Sequence, residues 1–328
     1  MPRSSNFLVV AAFDLGTTYS GYAYSYKYDP TKIITNRNWY PGDAASKLLT
    51  LKTPTSVLLD TNGQFHSFGF EAEDHFAILA EQNENDGWRL FRRFKMTLHN
   101  NQLMSRQATV KDIGGVDYPA IDLFAMAIQY LHKHLLDALK LKLTGLLETD
   151  IQYVITVPAI WDISAKQFMR EGAIKAGIEG DRLELAFESE VAAIWCTHEL
   201  SSDAIKSRMQ SPGSKYIVID LGGGTADISV HQILPNGFVK ALYKATGGAW
   251  GGTFVDQNFM EFLEQLLGKG VMEQFRTEQL GDFFEMIRDF ETKKRSNSIF
   301  KRMVCPFRIP PSLSEMVSAT NKHVYYAT

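Results

Sequence analysis

The fold of this chain is decided by a short stretch that occurs twice. Residues 9–18 read VVAAFDLGTT, and residues 217–225 read IVIDLGGGT. Each copy has an apolar run, an aspartate, a glycine-bearing turn and a threonine. The residues after each turn alternate at period two, which is typical of a strand and not of a helix. We therefore predict two β-hairpins with glycine in the turn, unlike the nucleotide-binding units in which a glycine turn opens a helix.

The remaining segments alternate between predicted helices and strands. The predicted helices are 120–142, 164–176, 188–199, 253–267 and 278–295, and the predicted strands are 150–157, 183–187 and 238–246. A capping box at Ser164 begins the second of these helices, and Gly177 ends it. Residues 201–214 are polar and contain Pro212 and Gly213, which indicates a linker. We therefore predict a first domain over 1–200 and a second over 215–328.

Composition excludes several classes of protein. The 328 residues include 34 basic and 37 acidic side chains and are 45% hydrophobic, which fits two globular domains. A net charge of −3 does not indicate the basic surface that nucleic-acid binding requires, and it does not indicate a polybasic membrane anchor. No apolar run is long enough to predict membrane insertion. The two cysteines, Cys196 and Cys305, form no disulfide framework, so we expect a cytoplasmic, reducing location.

The two turns have the chemistry of a phosphate site if they face each other. Glycine lets the backbone approach a phosphate, and successive N–H groups form an anion-binding concavity. The hydroxyls of Thr17, Thr18 and Thr225 add donors. Asp14 and Asp220 beside the turns would repel a bare phosphate, but they suit a divalent cation between them. The pair therefore predicts a clamp for a magnesium nucleotide between two domains.

Four segments resemble one known family. FDLGTTYS at 13–20 and IDLGGGTAD at 219–227 resemble the two phosphate motifs of the 70-kilodalton heat-shock chaperones, within the actin-like ATPase superfamily. VITVPA at 154–159 is similar to the first connecting segment of that family, and FESEVAAI at 187–194 to the segment with its active-site glutamate. ESEV, together with KMTL at 95–98, is most similar to the atypical 12A and 12B branch. The resemblance implies an α/β, actin-like ATPase fold of ribonuclease H-like βββαβα domains, the second of them incomplete.

The resemblance also implies roles for individual residues toward ATP or ADP and Mg²⁺. Asp14, Asp220 and Asp227 would hold Mg²⁺ largely through water, and Lys95, Glu188, Asp220 and Asp14 would form the catalytic group. Phosphates would be contacted by Gly16, Thr17, Thr18, Tyr19, Gly222, Gly223, Gly224, Thr225, Gly251 and Gly252. The sequence ETKKRSNS at 291–298 fits the family's adenosine helix, so Glu291, Lys294, Arg295 and Ser298 would bind the nucleoside.

Some of these assignments have plainer alternatives. Lys95 is also consistent with an exposed lysine of a basic segment, the glycines at 251 and 252 with an ordinary turn, and residues 291–298 with a basic helix end. No glycine follows Gly281, so the second, glycine-rich adenosine loop of the family is not found, and we expect a C-terminally truncated member.

Three functions stay open from the sequence. The first is a heat-shock-type ATP-binding protein with slow hydrolysis, coupled through domain closure to an unidentified partner or client protein. The second is a non-hydrolysing interaction module with the same fold. The third is a sugar or small-acid kinase of that fold, which needs a general base and a substrate cleft.

Overall fold

A computed structural model describes residues 7–36, 39, 50–100, 107–199, 207, 211–296 and 306–320. The strands are β1 Val9–Leu15, β2 Tyr19–Tyr26, β3 Asp29–Thr35, β4 Thr53–Pro54, β5 Ser56–Leu59, β6 Phe65–Phe68, β7 Arg89–Arg92, β8 Thr109–Lys111, β9 Asp117–Pro119, β10 Ile151–Val157, β11 Leu183–Phe187, β12 Lys215–Leu221, β13 Ala226–Ile233, β14 Val239–Ala241 and β15 Thr246–Gly248. The helices are α1 Phe70–Glu81, α2 Thr97–Asn100, α3 Ala120–Lys140, α4 Ile163–Lys175, α5 Glu188–Glu199, α6 Gly252–Leu267, α7 Lys269–Glu278, α8 Leu280–Ser296 and α9 Pro311–Thr320, and short 3₁₀ turns lie at Phe94–Met96, Glu148–Asp150 and Gly180–Arg182.

The first hairpin is the centre of the main sheet. β1 pairs antiparallel with β2 and parallel with β10, and the strand order is β11-β10-β1-β2-β3, with β4 also paired to β2. Every second residue of β1 is fully buried, which fixes the strand's register against the helices that cover it. With α3 before β10, α4 between β10 and β11, and α5 after β11, this unit contains the predicted βββαβα order and extends it by one strand, β11, and one helix, α5.

The second hairpin is formed by β12 and β13, with Asp220 opposite Asp227. β14 and β15 pair with opposite ends of β13. Among the described residues this sheet has no counterpart of the parallel strands β10 and β11, so the second unit is the shorter one. The single strand predicted over 238–246 is wrong, because the chain leaves the edge of β13 after the Leu242 N–H donates to the Val230 carbonyl and rejoins it at Thr246.

Two helix boundaries also differ from the prediction. Asp162, not Ser164, caps α4, since its carboxylate accepts the Ala165 N–H at 2.7 Å. Gly268 has a φ of 101° and separates α6 from α7, a helix that the sequence analysis missed. The predicted cap at Gly177 is confirmed, with a φ of 98° after the end of α4.

The apolar side chains form two cores. The first surrounds β1, β10, α3 and α4. The second, which we call the shared core, combines α1 and strands β5 and β7 with helices from the C-terminal part of the chain, so that Leu58 and Phe76 lie in one cluster with Phe275 and Phe284. The shared core thus joins residues of both predicted domains. The predicted linker, 201–214, lies mostly outside the described residues, and the domain bounds stay a prediction.

Ion pairs reinforce the shared core. Glu73 on α1 is 2% exposed and accepts bonds from Arg92 at 2.8 Å, Arg288 at 3.3 Å and the Ser56 hydroxyl at 2.7 Å. Burial alone would raise the pKa of Glu73, but the two guanidinium groups outweigh burial and lower it. Arg288 also contacts Asp74 at 2.6 Å. None of the helices in the described parts of the chain combines the length and apolarity that crossing a bilayer requires.

Phe275→Ala tests the shared core. The Phe275 ring is fully buried, so its removal should lower the free energy of unfolding by about 3–5 kcal/mol. Urea unfolding followed by circular dichroism measures this change. Phe262→Ala is the control, because that ring on α6 is 56% exposed and its loss should cost roughly 0.5 kcal/mol or less. Equal effects of the two variants would contradict the packing described here.

Candidate functional site

The turns of the two hairpins contact each other. A Cβ placed on Gly224 would lie 2.6 Å from the Thr17 hydroxyl oxygen and 2.5 Å from the Met96 sulfur, and one on Gly223 would overlap the Thr18 side chain. Both distances are well inside van der Waals contact. The glycines at 223 and 224 are therefore required by the close approach of the first turn.

Four carboxylates and two ammonium groups lie beside these turns. Asp14, at the end of β1, accepts a bond from the Lys52 ammonium at 2.5 Å and from the Thr156 hydroxyl at 3.2 Å. Glu188, the first residue of α5, accepts a bond from Lys95 at 2.7 Å. Asp220 and Asp227 complete the group, which we call the acid cluster: Asp14, Glu188, Asp220 and Asp227.

Lys95 is held deep in the structure. Its side chain is 4% exposed and lies 5.3 Å from the centre of the Trp161 ring. The 3₁₀ turn at Phe94–Met96 begins after Arg93, whose φ of 55° lies in the left-handed region. The structure therefore excludes the alternative of an exposed lysine and places Lys95 against the predicted active-site glutamate.

Burial and the neighbouring charges together set the pKa values of the acid cluster. Burial raises the pKa of Asp220, and the Asp14 carboxylate raises it further. Burial also raises the pKa of Glu188, and the Lys95 ammonium offsets this only in part. Burial, with the carboxylates of Glu188 and Asp220, raises the pKa of Asp227 to about 6. For Asp14, burial is outweighed by the Lys52 and Lys95 ammonium groups, which hold the pKa below its usual range.

Asp227 has the features of a cation ligand. It is 2% exposed, its Oδ1 atom has no hydrogen-bond partner among the described residues, and its Oδ2 atom accepts a 3.4 Å bond from Thr225. A buried carboxylate oxygen without a partner is costly unless something else pairs with it. Within the part of the chain that is described, no three His, Cys, Asp or Glu side chains converge on a common metal position. Carboxylate oxygens completed by water are the donors that Mg²⁺ prefers, so Asp220 and Asp227 fit a largely hydrated ion.

The N-terminus of α6 is joined to the second turn. The N–H groups of Gly251, Gly252 and Thr253 donate to carbonyls of the 222–224 turn at 3.2, 3.0 and 2.7 Å. These are helix N-terminal donors that need partners outside the helix. A Cβ on Gly251 would lie 2.6 Å from the Gly223 carbonyl oxygen. The two glycines thus lie at the second turn, and their direct contact with phosphate stays a prediction.

The predicted adenosine residues take part in an ion-pair network. Lys294 on α8 contacts Glu291, the Asp256 carboxylate at 2.5 Å and the Gly252 carbonyl at 3.3 Å. Arg93 binds the other oxygen of Asp256 at 2.8 Å. The network therefore links α8 and α6 to the segment just before Lys95. Ser298 and the side chain of Arg295 lie outside the described residues.

We call this arrangement, in which the turns of the two hairpins touch, the closed structure. A cavity of about 30 Å³ lies between the first turn, Arg93, Arg288 and Glu291, and Thr18 and Tyr19 line it. That volume suits one or two waters, not a nucleotide. A second cavity of about 440 Å³ has Arg93, Met96, Thr253 and Asp256 in its lining.

Sequence reasoning missed three residues of the site. Lys52 and Thr156 both contact Asp14, and Asp256 joins Arg93 to Lys294. Lys52 directly precedes the two-residue strand β4, which is too short to show a periodic pattern that would mark it. Asp256 lies in the first turn of a helix, where an acidic residue is ordinary.

The family model described as Hsp70 protein matches residues 91–288, more than half of the chain. The chain belongs to the Hsp70 family. It is 36% identical to the human (Homo sapiens) Heat shock 70 kDa protein 12A over 90% of this chain and 51% of that protein. It is 33% identical to the human Heat shock 70 kDa protein 12B over 90% of this chain and 50% of that protein. The predicted family and its atypical branch are thereby confirmed.

The chain spans about half the length of the curated relatives it matches. A solved structure, MreB5 of Spiroplasma citri bound to ADP, covers 96% of this chain and 83% of its own, with 12% identity and a TM-score of 0.47. The mixed α/β architecture and membership of the Hsp70 family confirm the actin-like ATPase fold that the resemblance implies.

Asp227→Asn tests the electrostatics of the acid cluster. Because the folded state raises the pKa of Asp227, the native protein binds that proton more tightly than the unfolded chain. The wild type should therefore lose stability relative to the variant as the pH rises from about 4 to about 7, by roughly 2–3 kcal/mol. Urea unfolding of both proteins with EDTA across this range measures the difference. Parallel stability profiles would contradict the raised pKa.

Gly251→Ala tests the contact between α6 and the second turn. The new methyl group would meet backbone atoms of the 222–224 turn, which cannot rotate away as a side chain can, so we expect a loss of about 1–3 kcal/mol. Gly270→Ala on α7 is the matched control, since a Cβ there meets nothing within 4 Å and should stabilise the helix by up to about 1 kcal/mol. Thermal unfolding measures the stability of the two variants. Equal stabilities would contradict the close approach of Gly251 to the 222–224 turn.

Proposed function

We propose that this chain binds Mg·ATP and Mg·ADP between its two hairpin turns and hydrolyses ATP slowly. The observation that carries the proposal is the Asp227 carboxylate, which is buried and has one oxygen without a partner beside a glycine turn. Membership of the Hsp70 family supports nucleotide as the ligand. Backbone N–H groups bind anions and carboxylates bind cations, so the two kinds of group beside one another fit a polyphosphate bound together with a cation.

The side chains around the two turns would have distinct roles in this scheme. The hydroxyls of Thr17, Thr18 and Thr225 would donate to phosphate oxygens, as would turn N–H groups once the turns separate. Lys95 would turn from Glu188 toward the γ-phosphate and take up the charge that develops there. Asp220 and Asp227 would hold Mg²⁺, and the bound ion would neutralise part of the phosphate charge.

Glu188 would then order the attacking water. Its raised pKa brings the carboxyl group closer to neutral pH, which suits a group that accepts a proton from water. In the closed structure its Oε1 atom is held by Lys95. Release of Lys95 to the phosphate would free Glu188 for the water, so one movement would prepare both groups.

Opening and closing of the cleft would couple the nucleotide to other parts of the protein. The Arg93–Asp256 and Arg288–Glu73 pairs join the two sides of the cleft, and they must break or stretch for nucleotide to enter. Closure around the nucleotide would restore them and present a different surface to a partner protein. A client protein and a cytoplasmic location stay predictions.

A non-hydrolysing interaction module is the alternative that one observation favours. In the closed structure the turns touch, and the first N–H groups of α6 already have carbonyl partners. A member that kept the fold but remained closed would need neither Mg²⁺ nor turnover. Nucleotide binding without phosphate release would support this alternative.

A thermal-unfolding scan of the whole chain with and without Mg·ATP tests the proposed function. Nucleotide at about 100 times its Kd should add about 2.7 kcal/mol of stability, which for a chain of this size is a rise in Tm of roughly 5–10 °C. Asp220→Asn should abolish most of the shift because it removes a carboxylate of the cation site.

Asp181→Asn is the matched control, since Asp181 is exposed on the first unit and its loss should leave the shift intact. A cooperative transition that does not respond to nucleotide would contradict the proposal. Release of phosphate, measured in the same samples, separates the hydrolysing form of the proposal from the interaction module.

A further inference from the structure

Lys52 lies at the first phosphate turn although nothing in the sequence pattern marks it. Its Nζ atom is 2.5 Å from Asp14 Oδ2. The backbone around it is fixed: β4 pairs with β2 through Thr53 and Ser20, and the Thr55 N–H donates to the Thr18 carbonyl at 2.9 Å. The position of Lys52 beside Asp14 is therefore a consequence of the sheet and not of a free loop.

The charges of the acid cluster divide unequally. Lys52 pairs with Asp14 and Lys95 with Glu188, so two of the four carboxylates are neutralised by the chain itself. Within the described ranges no ammonium or guanidinium group forms an ion-pair contact with Asp220 or Asp227, although Lys52 and Lys95 act on Asp220 from a greater distance. The uncompensated charge is therefore about −2 and lies entirely on the second hairpin. One divalent cation would balance it there.

Asp14 is a poor position for a divalent cation, because the Lys52 ammonium beside its Oδ2 atom would repel one. Its Oδ1 atom accepts a bond from Thr156. Lys52, in contrast, has donors to spare, because an ammonium group has three and the Asp14 bond uses one. The Lys52 side chain is 46% exposed, so a ligand can reach the other two. Its ammonium also interacts with Glu188 and Asp220, which places it facing the cluster.

We propose that Lys52 is a second phosphate-binding cation, positioned by Asp14, for the polyphosphate group of a nucleoside di- or triphosphate. Asp14 then serves to hold an ammonium group and not a metal, and the divalent cation belongs to Asp220 and Asp227 alone. This inference rests on the proposed function. It follows that the chain supplies part of the charge neutralisation that a metal would otherwise have to provide, so nucleotide binding depends only weakly on Mg²⁺.

The test is the affinity of the whole chain for ADP, measured by calorimetry in excess Mg²⁺ and again in EDTA. The ratio of the Kd in EDTA to the Kd in Mg²⁺ measures how strongly binding depends on the metal, and it decides between the outcomes. For the wild type we expect EDTA to weaken binding about tenfold or less. For Lys52→Met we expect that ratio to increase by a further factor of about ten or more, because the variant has lost the ammonium group that binds phosphate without a metal.

Two further variants make the result specific. Lys52→Arg keeps the charge and should keep the wild-type ratio within about threefold. Lys32→Met removes an exposed lysine on β3 and should change nothing. The Tm of each variant confirms that it is folded.

The outcomes that overturn the inference differ from those that overturn the proposed function. If Lys52→Met has the wild-type ratio, Lys52 does not bind phosphate, although the nucleotide site stands. If Lys52→Met binds Mg·ADP more tightly than the wild type, Lys52 competes with the metal at Asp14 and the assignment is reversed. If the wild type binds no ADP even in Mg²⁺, the proposed function itself fails, and the inference with it.

Discussion

Repulsion among the carboxylates of Asp14, Glu188, Asp220 and Asp227 is the constraint on which the rest of the site depends. Asp14 and Asp220 lie near the ends of β1 and β12, Asp227 near the start of β13 and Glu188 at the start of α5, so the two hairpins and α5 fix their positions. Burial raises the pKa values of Glu188, Asp220 and Asp227, and the neighbouring carboxylates raise them further. Two ammonium groups from distant parts of the chain offset part of the negative charge, and the remainder lies on the second hairpin.

The second constraint is steric. The two turns approach so closely that side chains at 223 and 224 would overlap Thr17, Thr18 or Met96. The N-terminus of α6 then packs on the far side of the same turn, where its free N–H groups find the turn carbonyls. The 222–224 turn therefore contacts two neighbours at once, which explains the glycines at 223 and 224.

The hairpins, the main helices and the aspartates at the turns could be predicted from the sequence because each depends on residues close together in the chain. Period-two alternation after a glycine turn is a local signal, and so is the helical spacing of α3. The resemblance to a family implies catalytic roles for Lys95 and Glu188, and the ion pair between them was found only in the structure.

What could not be predicted depends on contacts between distant residues. Lys52 reaches Asp14 only because a strand of two residues pairs with β2. Asp256 becomes the centre of a network only when α6, α8 and the segment at Arg93 converge. The break between β14 and β15 depends on how the chain pairs with the edge of β13. Asp162 caps α4 in place of Ser164, and the sequence could not decide this because aspartate and serine have nearly equal preference for the N-cap position.

The shared core has a consequence for how this chain is made. Leu58, Phe76 and Leu90 emerge from the ribosome well before the helices around Phe275 and Phe284 that cover them. Almost two hundred residues separate Phe76 on α1 from Phe275, so the apolar side of α1 stays uncovered during their synthesis, even after the first unit is complete at Glu199. Contacts so distant in sequence form slowly, and uncovered apolar surface is prone to aggregation. The nascent chain is therefore most exposed to aggregation in the interval before its C-terminal helices are made.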